Sequence, residues 1–440
     1  MSLKKSVRNI SAVSIAVGVF SLVLIVSAGM ALPNVEIIDN VKEHNSAMNS
    51  GFAEQTKNNE SLSNEKVDEG ISLMQHCKFR DAESVFSDAI ELNPSNQIAY
   101  AKLGECYAFL NDSEKAIKNC NFALELAPND SEMYEIRGWV YTLLGENTLA
   151  IDDYTKAIDI NPQRGKGYLL RGSAYEKTNK YTLALIDFTK LIELEKGLDK
   201  AQAYMLRGHV VAQMGQYSDA IEDYTKAIEF NPGNSVGYGM RGCAYERIGE
   251  YTLAIGDFSK SIELSPNIPF DYVNRGIIYE HLENYSKAVE DCSKAVEISP
   301  NYTTAYIVRA RNYIKLNERD AAIADYTKLI SISDNNAEFY KRRGCIHLEN
   351  GNMMMAIDDL SKAIDFNSKD AEAYYFRGCV YIKINEYEKA IADYTCAIEI
   401  NPRYAEAYFN RAIAYRDSRR FKLANADFTR ARELGFRYKI

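Results

Sequence analysis

The chain has 440 residues, 46% of them hydrophobic and 26% charged, a composition that excludes wholesale disorder and gives length for several domains or one long array. Its formal net charge of −9 argues against nucleic acid as the main partner, because phosphate binding needs a clustered basic surface. The eight cysteines (Cys77, Cys106, Cys120, Cys243, Cys292, Cys345, Cys379 and Cys396) form no CxxC pair and no Cys/His cluster, so they read as small core residues rather than zinc ligands or a redox motif.

The N-terminus differs in kind from the rest. A basic flank, residues 1–9, carries Lys4, Lys5 and Arg8 and precedes an uncharged stretch, residues 10–32, that would span roughly 34 Å as a helix, about a bilayer core. This predicts a transmembrane anchor with the N-terminus inside and the remainder translocated. The other reading is a secretory signal cleaved near Ala28, which would leave the protein secreted. Residues 33–62 are polar and rich in Asn, Glu and Ser, which predicts a flexible linker.

From residue 63 onward the chain has a ruler. Pro94, Pro128, Pro162, Pro232, Pro266, Pro300 and Pro402 are separated by 34 residues or multiples of it, apart from two extra residues near Lys196 to Lys200. A fixed period of this size marks a solenoid of stacked repeats. Eleven units begin at Ser63, Gln97, Ser131, Gly165, Ala201, Ser235, Pro269, Thr303, Ala337, Ala371 and Ala405. In the fifth, Tyr204, Gly208, Ala220, Tyr224, Ala227 and Pro232 occupy positions 4, 8, 20, 24, 27 and 32. Apolar residues recur at helical spacing in two stretches per unit, separated by a turn, so each unit is predicted to be a helix hairpin. Small residues at positions 8, 20 and 27 let the two backbones approach, and aromatics at 4, 11 and 24 are expected to fill the gaps between neighbouring hairpins. One hairpin cannot bury both faces, so stacking must supply the core.

This grammar resembles the tetratricopeptide repeat, over residues 63–440. The resemblance implies an all-α fold, a right-handed superhelical solenoid of about eleven 34-residue helix-turn-helix repeats, preceded by one transmembrane or signal helix.

One position departs from the family pattern. Position 7, where the family has Leu, holds Arg137, Arg171, Arg207, Arg241, Arg275, Arg309, Arg343, Arg377 and Arg411. The same nine units carry Asp153, Asp187, Asp223, Asp257, Asp291, Asp325, Asp359, Asp393 and Asp427 at position 23. In an antiparallel hairpin turning near position 16, the two positions lie within about 3 Å of one level. That predicts a structural rail of Arg–Asp pairs, the alternative being an arginine whose stem is packed and whose head is in solvent.

No catalytic set emerges. Gly233, Ser235 and Gly237 match the G-x-S-x-G string but fall between two hairpins, without the strand that the nucleophile elbow needs. The five histidines, His44, His76, His209, His281 and His347, have no metal-ligand spacing. The expectation is a protein that is no enzyme and has no metal site and no cofactor.

In tetratricopeptide-like proteins the first helix of each hairpin lines a concave groove, which the resemblance implies here for positions 2, 5, 9, 12 and 13. Those positions vary between units and include Glu135, Trp139, Leu169, Ser173, Met205, His209, Arg311, Lys341, Tyr375 and Phe409 as candidate partner contacts. The family's Lys/Asn/Arg set for a C-terminal carboxylate is missing, so an extended peptide or partner helix fits the groove better. The last thirty residues carry Arg411, Arg416, Arg419, Arg420, Lys422, Arg430, Arg432, Arg437 and Lys439, a basic end that would suit an acidic partner or anionic lipid headgroups. The reading is a membrane-anchored scaffold or adaptor for a protein partner. A secreted unanchored adaptor and a self-assembling structural protein are the alternatives.

Overall fold

A computed structural model describes residues 36–437, with side chains from residue 54 onward. Among the described residues there are 22 helices and no strand, the all-α repeat architecture expected from the sequence. The chain divides into two compact units, one ending at Ile160 and one beginning at Asn161.

The first unit holds three hairpins. Repeat 1 pairs α1 (Glu36–Gln75) with α2 (Phe79–Leu92), repeat 2 pairs α3 (Gln97–Phe109) with α4 (Ser113–Leu126), and repeat 3 pairs α5 (Ser131–Leu143) with α6 (Asn147–Ile160). The second unit holds eight. Repeat 4 is α7 (Gly165–Lys177) with α8 (Tyr181–Leu194), repeat 5 is α9 (Gly197–Gln213) with α10 (Tyr217–Phe230), and repeat 6 is α11 (Ser235–Arg247) with α12 (Tyr251–Leu264). Repeat 7 is α13 (Pro269–His281) with α14 (Tyr285–Ile298), and repeat 8 is α15 (Thr303–Lys315) with α16 (Arg319–Ile332). Repeat 9 is α17 (Ala337–Glu349) with α18 (Met353–Phe366), repeat 10 is α19 (Ala371–Lys383) with α20 (Tyr387–Ile400), and repeat 11 is α21 (Ala405–Asp417) with α22 (Phe421–Glu433). Within each unit, every hairpin packs its second helix against the first helix of the next.

Local chemistry explains the hairpins. The turn inside most repeats holds one residue in the left-handed region, Gly145 (φ 84°) in repeat 3 and Asn179 (φ 58°) in repeat 4, the glycine and asparagine ends expected of a helix C-terminus. Second helices stop at an extended residue such as Asn93 or Asn401, directly before the lattice proline, because proline disfavours helical geometry in the residue preceding it. The next helix is then restarted by a side-chain cap. Asn96, Asp130, Asn234, Asn336 and Asp370 each accept a hydrogen bond from a backbone N–H of the first turn.

Packing inside a hairpin follows the small-residue expectation. A Cβ added at Gly138 would lie 2.6 Å from the ring of Tyr154, and one at Gly172 would lie 2.7 Å from the ring of Phe188. In these two repeats the position-24 ring therefore lies flat on the backbone of the first helix, a contact that a side chain at Gly138 or Gly172 would crowd. Tyr154, Phe188, Tyr224, Phe258 and Tyr394 are all fully buried in this way.

Two expectations are corrected, and an irregularity is explained. The linker predicted for 33–62 is helical from Glu36, as the N-terminal part of the 40-residue helix α1. Its Asn- and Ser-rich composition suggested flexibility, but it contains no proline after residue 36 and much Glu, Lys, Ala and Gln, which favour helix. The predicted membrane segment, residues 10–32, lies outside the described residues, and among the described residues no helix is long and apolar enough to cross a membrane. The single-pass membrane localisation with a translocated repeat domain is withdrawn on that finding. Finally, the two extra residues near Lys196 are a helix extension, since α9 begins at Gly197 and runs for 17 residues where the other first helices of its unit have 13.

Candidate functional site

The arginines of position 7 occupy one repeated geometry. In all nine repeats Nε donates to Asp Oδ2 at 2.7–2.9 Å. Nη2 donates to Oδ1 of the same carboxylate at 2.6–3.0 Å. This is the fork-on-carboxylate pairing that Lys could not make. The aspartates are buried and the arginines only slightly exposed, at 17% and 10% of side-chain surface for Arg241 and Asp257.

The remaining nitrogen does something the sequence reading missed. Arg137 Nη1 donates to Asn121 Oδ1 of the preceding repeat at 2.7 Å. In the second unit Arg207, Arg241, Arg275, Arg309, Arg343, Arg377 and Arg411 donate from Nη1 to Thr189, Thr225, Ser259, Ser293, Thr327, Ser361 and Thr395, at 2.8–3.2 Å. Each acceptor is position 25 of the repeat before. The arginine thus ties both helices of its own hairpin to the second helix of its neighbour. The signal was present, since position 25 is Ser, Thr or Asn in every unit.

Tyrosines complete the surround. The guanidinium of Arg241 stands over Tyr238 and Tyr245 at 5.7 and 5.9 Å, and that of Arg411 over Tyr408 and Tyr415 at 5.5 and 5.7 Å. The hydrogen bond to Asp257 raises the pKa of Arg241 above the ordinary arginine value against the opposing effect of burial, so the guanidinium stays charged. With Nε, Nη1 and Nη2 all engaged, these side chains hold the array together and leave no fork for a ligand.

The ten candidate groove residues separate into three groups. Glu135 and Lys341 are buried, at 1% and 7% exposure. Lys341 Nζ lies 2.9 Å from Glu338, 3.0 Å from Asp370 and 2.9 Å from Glu372, an ion cluster that joins repeats 9 and 10. Burial alone would lower its pKa, but the three carboxylates outweigh that and hold it above the ordinary lysine value. Lys341 is therefore corrected from a groove contact to an inter-repeat strut, as position 5 points toward the next repeat. Met205, Tyr375 and Phe409 are half-buried and also pack inward. Met205 joins the cluster around Tyr224, and Tyr375 stacks near Tyr404 at 4.9 Å. Phe409 lies 4.6 Å from Phe436, which folds back from the C-terminal segment over the last hairpin. Trp139, Leu169, Ser173 and His209 are half-buried, and Arg311 is exposed and pairs with Glu280 at 2.7 Å.

Positions 9, 12 and 13 of repeat 4 and position 13 of repeat 5 form an open site. Ser173, Glu176, Lys177, Asn179, Tyr181 and Gln213 line a cavity of about 440 Å³. His209 Nε2 lies 3.4 Å from Glu176 Oε1 and 3.4 Å from Gln213 Nε2, which sets the imidazole beside the carboxylate. Tyr181 donates its hydroxyl to Asn179 Oδ1 at 2.8 Å, which orients the ring. Among the described residues no group of three or more His, Cys, Asp or Glu is arranged to hold a metal ion.

Profiles of the tetratricopeptide repeat match residues 67–130, 131–164, 165–197, 201–234, 223–256, 271–302, 303–336 and 371–404, well over half the sequence. The chain belongs to the tetratricopeptide repeat family. Among solved structures, MamA is 26% identical, with the match covering 38% of this chain and 91% of MamA, and a TM-score of 0.36. YrrB, described as a protein with an unusual peptide-binding site, is 22% identical over 43% of this chain and 97% of its own, with a TM-score of 0.37. The C-terminal part of a tetratricopeptide repeat-containing protein from Cytophaga hutchinsonii is 19% identical over 55% and 98%, with a TM-score of 0.45. No curated protein gives a significant match.

At the basic C-terminal end several cations are paired within the chain. Arg411 binds Asp427, Arg416 binds Asp417, Arg420 binds Glu388, and Arg430 binds Glu433.

Proposed function

We propose that this tetratricopeptide repeat protein is an interaction scaffold that binds a partner protein along the first-helix face of its second unit, at positions 9, 12 and 13 rather than position 5. The observation that carries this reading is the cavity between repeats 4 and 5, lined by polar side chains on the variable positions of a constant frame. The frame itself is closed, because the rail consumes the arginine and aspartate side chains in structural pairs. An extended peptide suits the site, as Gln213, Asn179 and Ser173 offer amide and hydroxyl groups that pair with a peptide backbone.

The test is site-specific photo-crosslinking in the full chain. A photoreactive residue at Ser173, His209 or Arg311 should trap the same partner, whereas one at Ile186, exposed on the second helix of repeat 4, should trap none. Trapping from Ile186 alone would place the interface on the other face and overturn the reading.

A further inference from the structure

We infer that the cavity between repeats 4 and 5 receives an arginine side chain of the bound partner, stacked on Tyr181 and paired with Glu176. The inference rests on the interaction reading above and specifies its chemistry.

The argument compares one structural spot across repeats. Position 17 of a repeat faces position 13 of the next. In the first unit this spot is closed by two stacked rings, Phe79 and Phe109, with centroids 4.7 Å apart and planes inclined by 12°. In the second unit, repeats 6 and 7 close it with Tyr251 on His281, 5.8 Å apart at 7°. Repeats 8 and 9 close it with Arg319 Nε donating to Glu349 Oε2 at 3.1 Å. Twice the chain fills the spot with a planar group on a ring, and once with a guanidinium on a carboxylate.

Repeats 4 and 5 have one half of each solution and leave the spot open. Position 17 is Tyr181, an aromatic ring, and position 13 is Gln213, which carries neither a ring nor a charge. Glu176 supplies a carboxylate in the same cavity, with His209 Nε2 3.4 Å away. A planar cation satisfies both, lying over the tyrosine ring while its N–H fork meets the carboxylate. Of the side chains, only arginine is planar, charged and forked. Ammonium would pair with Glu176 but would lack the fork and the stacking surface. Lys177 is the opposing charge in the lining, and being exposed it remains solvated and turns outward when a guanidinium enters.

The test uses the full chain and three blocked tripeptides, acetyl-Gly-Arg-Gly-amide, its lysine counterpart and its citrulline counterpart, the last being the neutral isostere of arginine. Affinities are read by saturation-transfer NMR. The arginine peptide should bind about threefold more tightly than the lysine peptide and about tenfold more tightly than the citrulline peptide. Glu176→Gln should weaken arginine binding about tenfold, and Tyr181→Leu about threefold, while Glu222→Gln on the exposed second helix of repeat 5 leaves it unchanged. Equal binding of all three peptides, no saturable binding of the arginine peptide, or indifference to Glu176→Gln would each overturn the inference. If crosslinks from Ser173 and His209 still trap a partner in any of those cases, only the arginine assignment falls. If no first-helix position traps a partner, the broader reading falls as well.

Discussion

Repeat 2 and repeat 3 stand side by side in the first unit and hold their helices together differently. Repeat 3 has Arg137 forked on Asp153, whereas repeat 2 has Leu103 at the same position, buried at 6% exposure, and Asn119 in place of the aspartate. Repeat 1 likewise lacks the pair, with Glu69 and Val85 there. All three keep the glycine at position 8, since a Cβ at Gly70 would lie 2.5 Å from the ring of Phe86 and one at Gly104 would lie 2.4 Å from Cys120 Sγ. The hairpin is therefore made by close backbone approach and apolar burial, and the ion pair is added to it. What the pair adds is a link to the neighbour, because Arg137 Nη1 reaches Asn121 of repeat 2. Repeats 1 and 2 make their link instead through Asn96, which donates to Ser63 Oγ at 2.9 Å and Asn64 Oδ1 at 3.0 Å.

The sharpest way to break this comparison is to strand one charge. Asp257→Ala leaves Arg241 largely buried without its carboxylate and should cost about 3 kcal/mol, localised to repeats 5 to 7. Unfolding of a repeat array is not a single two-state step, so the measurement is hydrogen exchange resolved by repeat, where amide protection in α11 and α12 should fall first. Next in size is the steric frame that position-8 glycine gives repeats 1 to 3. Gly138→Ala places a methyl against Tyr154 and should cost about 1–3 kcal/mol, read as lost protection in α5 and α6.

A smaller effect separates the two kinds of repeat more finely. Thr225→Val removes the acceptor of Arg241 Nη1 and should cost about 1 kcal/mol. Ser87→Ala at the same position of repeat 1 should be nearly neutral, because that hydroxyl donates to the backbone of Glu83 at 2.8 Å and serves no arginine. Equal effects from the two substitutions would contradict the inter-repeat role.

The smallest effect concerns acid. Repeat 9 has His347 where most repeats have tyrosine. It is buried, with Asn352 and Asp359 near its ring and Arg343 and Asp320 within electrostatic reach. Burial lowers its pKa below the ordinary value of 6.5, opposed by the aspartates. The folded state thus prefers the neutral ring. Its contribution is full above about pH 6.5 and is lost as the pH falls from there through the lowered folded value. Protection of α17 and α18 should decline between pH 7.5 and pH 5.5, and His347→Tyr should remove that decline.

Much of this was legible in the sequence for physical reasons. Prolines 34 residues apart report where helices must stop, and the level of positions 7 and 23 follows from helix rise alone, so the Arg–Asp contact could be anticipated. The link to position 25 was not anticipated, although Ser, Thr or Asn stands there throughout. Its acceptor lies in a different hairpin, and the rise along one helix gives no information about the offset between hairpins. The same limit explains Lys341. Its variability suggested a ligand face, whereas the carboxylates that bind it, Asp370 and Glu372, belong to the approach and start of the next repeat. The linker was misread because composition reports the absence of burial, and a polar segment without breakers still forms helix. Of the residues that line the cavity, Ser173 was among the groove positions named from the sequence, whereas Tyr181 and Gln213 meet through a contact between repeats that no single-unit pattern encodes.

The central claim is that the arginine of position 7 and the aspartate of position 23 act as one unit. A double-mutant cycle on Arg241→Ala and Asp257→Ala, with stability read from hydrogen exchange in repeat 6, tests it most directly. The account predicts that the double variant is more stable than the sum of the single losses implies, by about 1–3 kcal/mol. Simple additivity of the two losses would mean that the side chains stabilise the hairpin independently, and the rail would not exist.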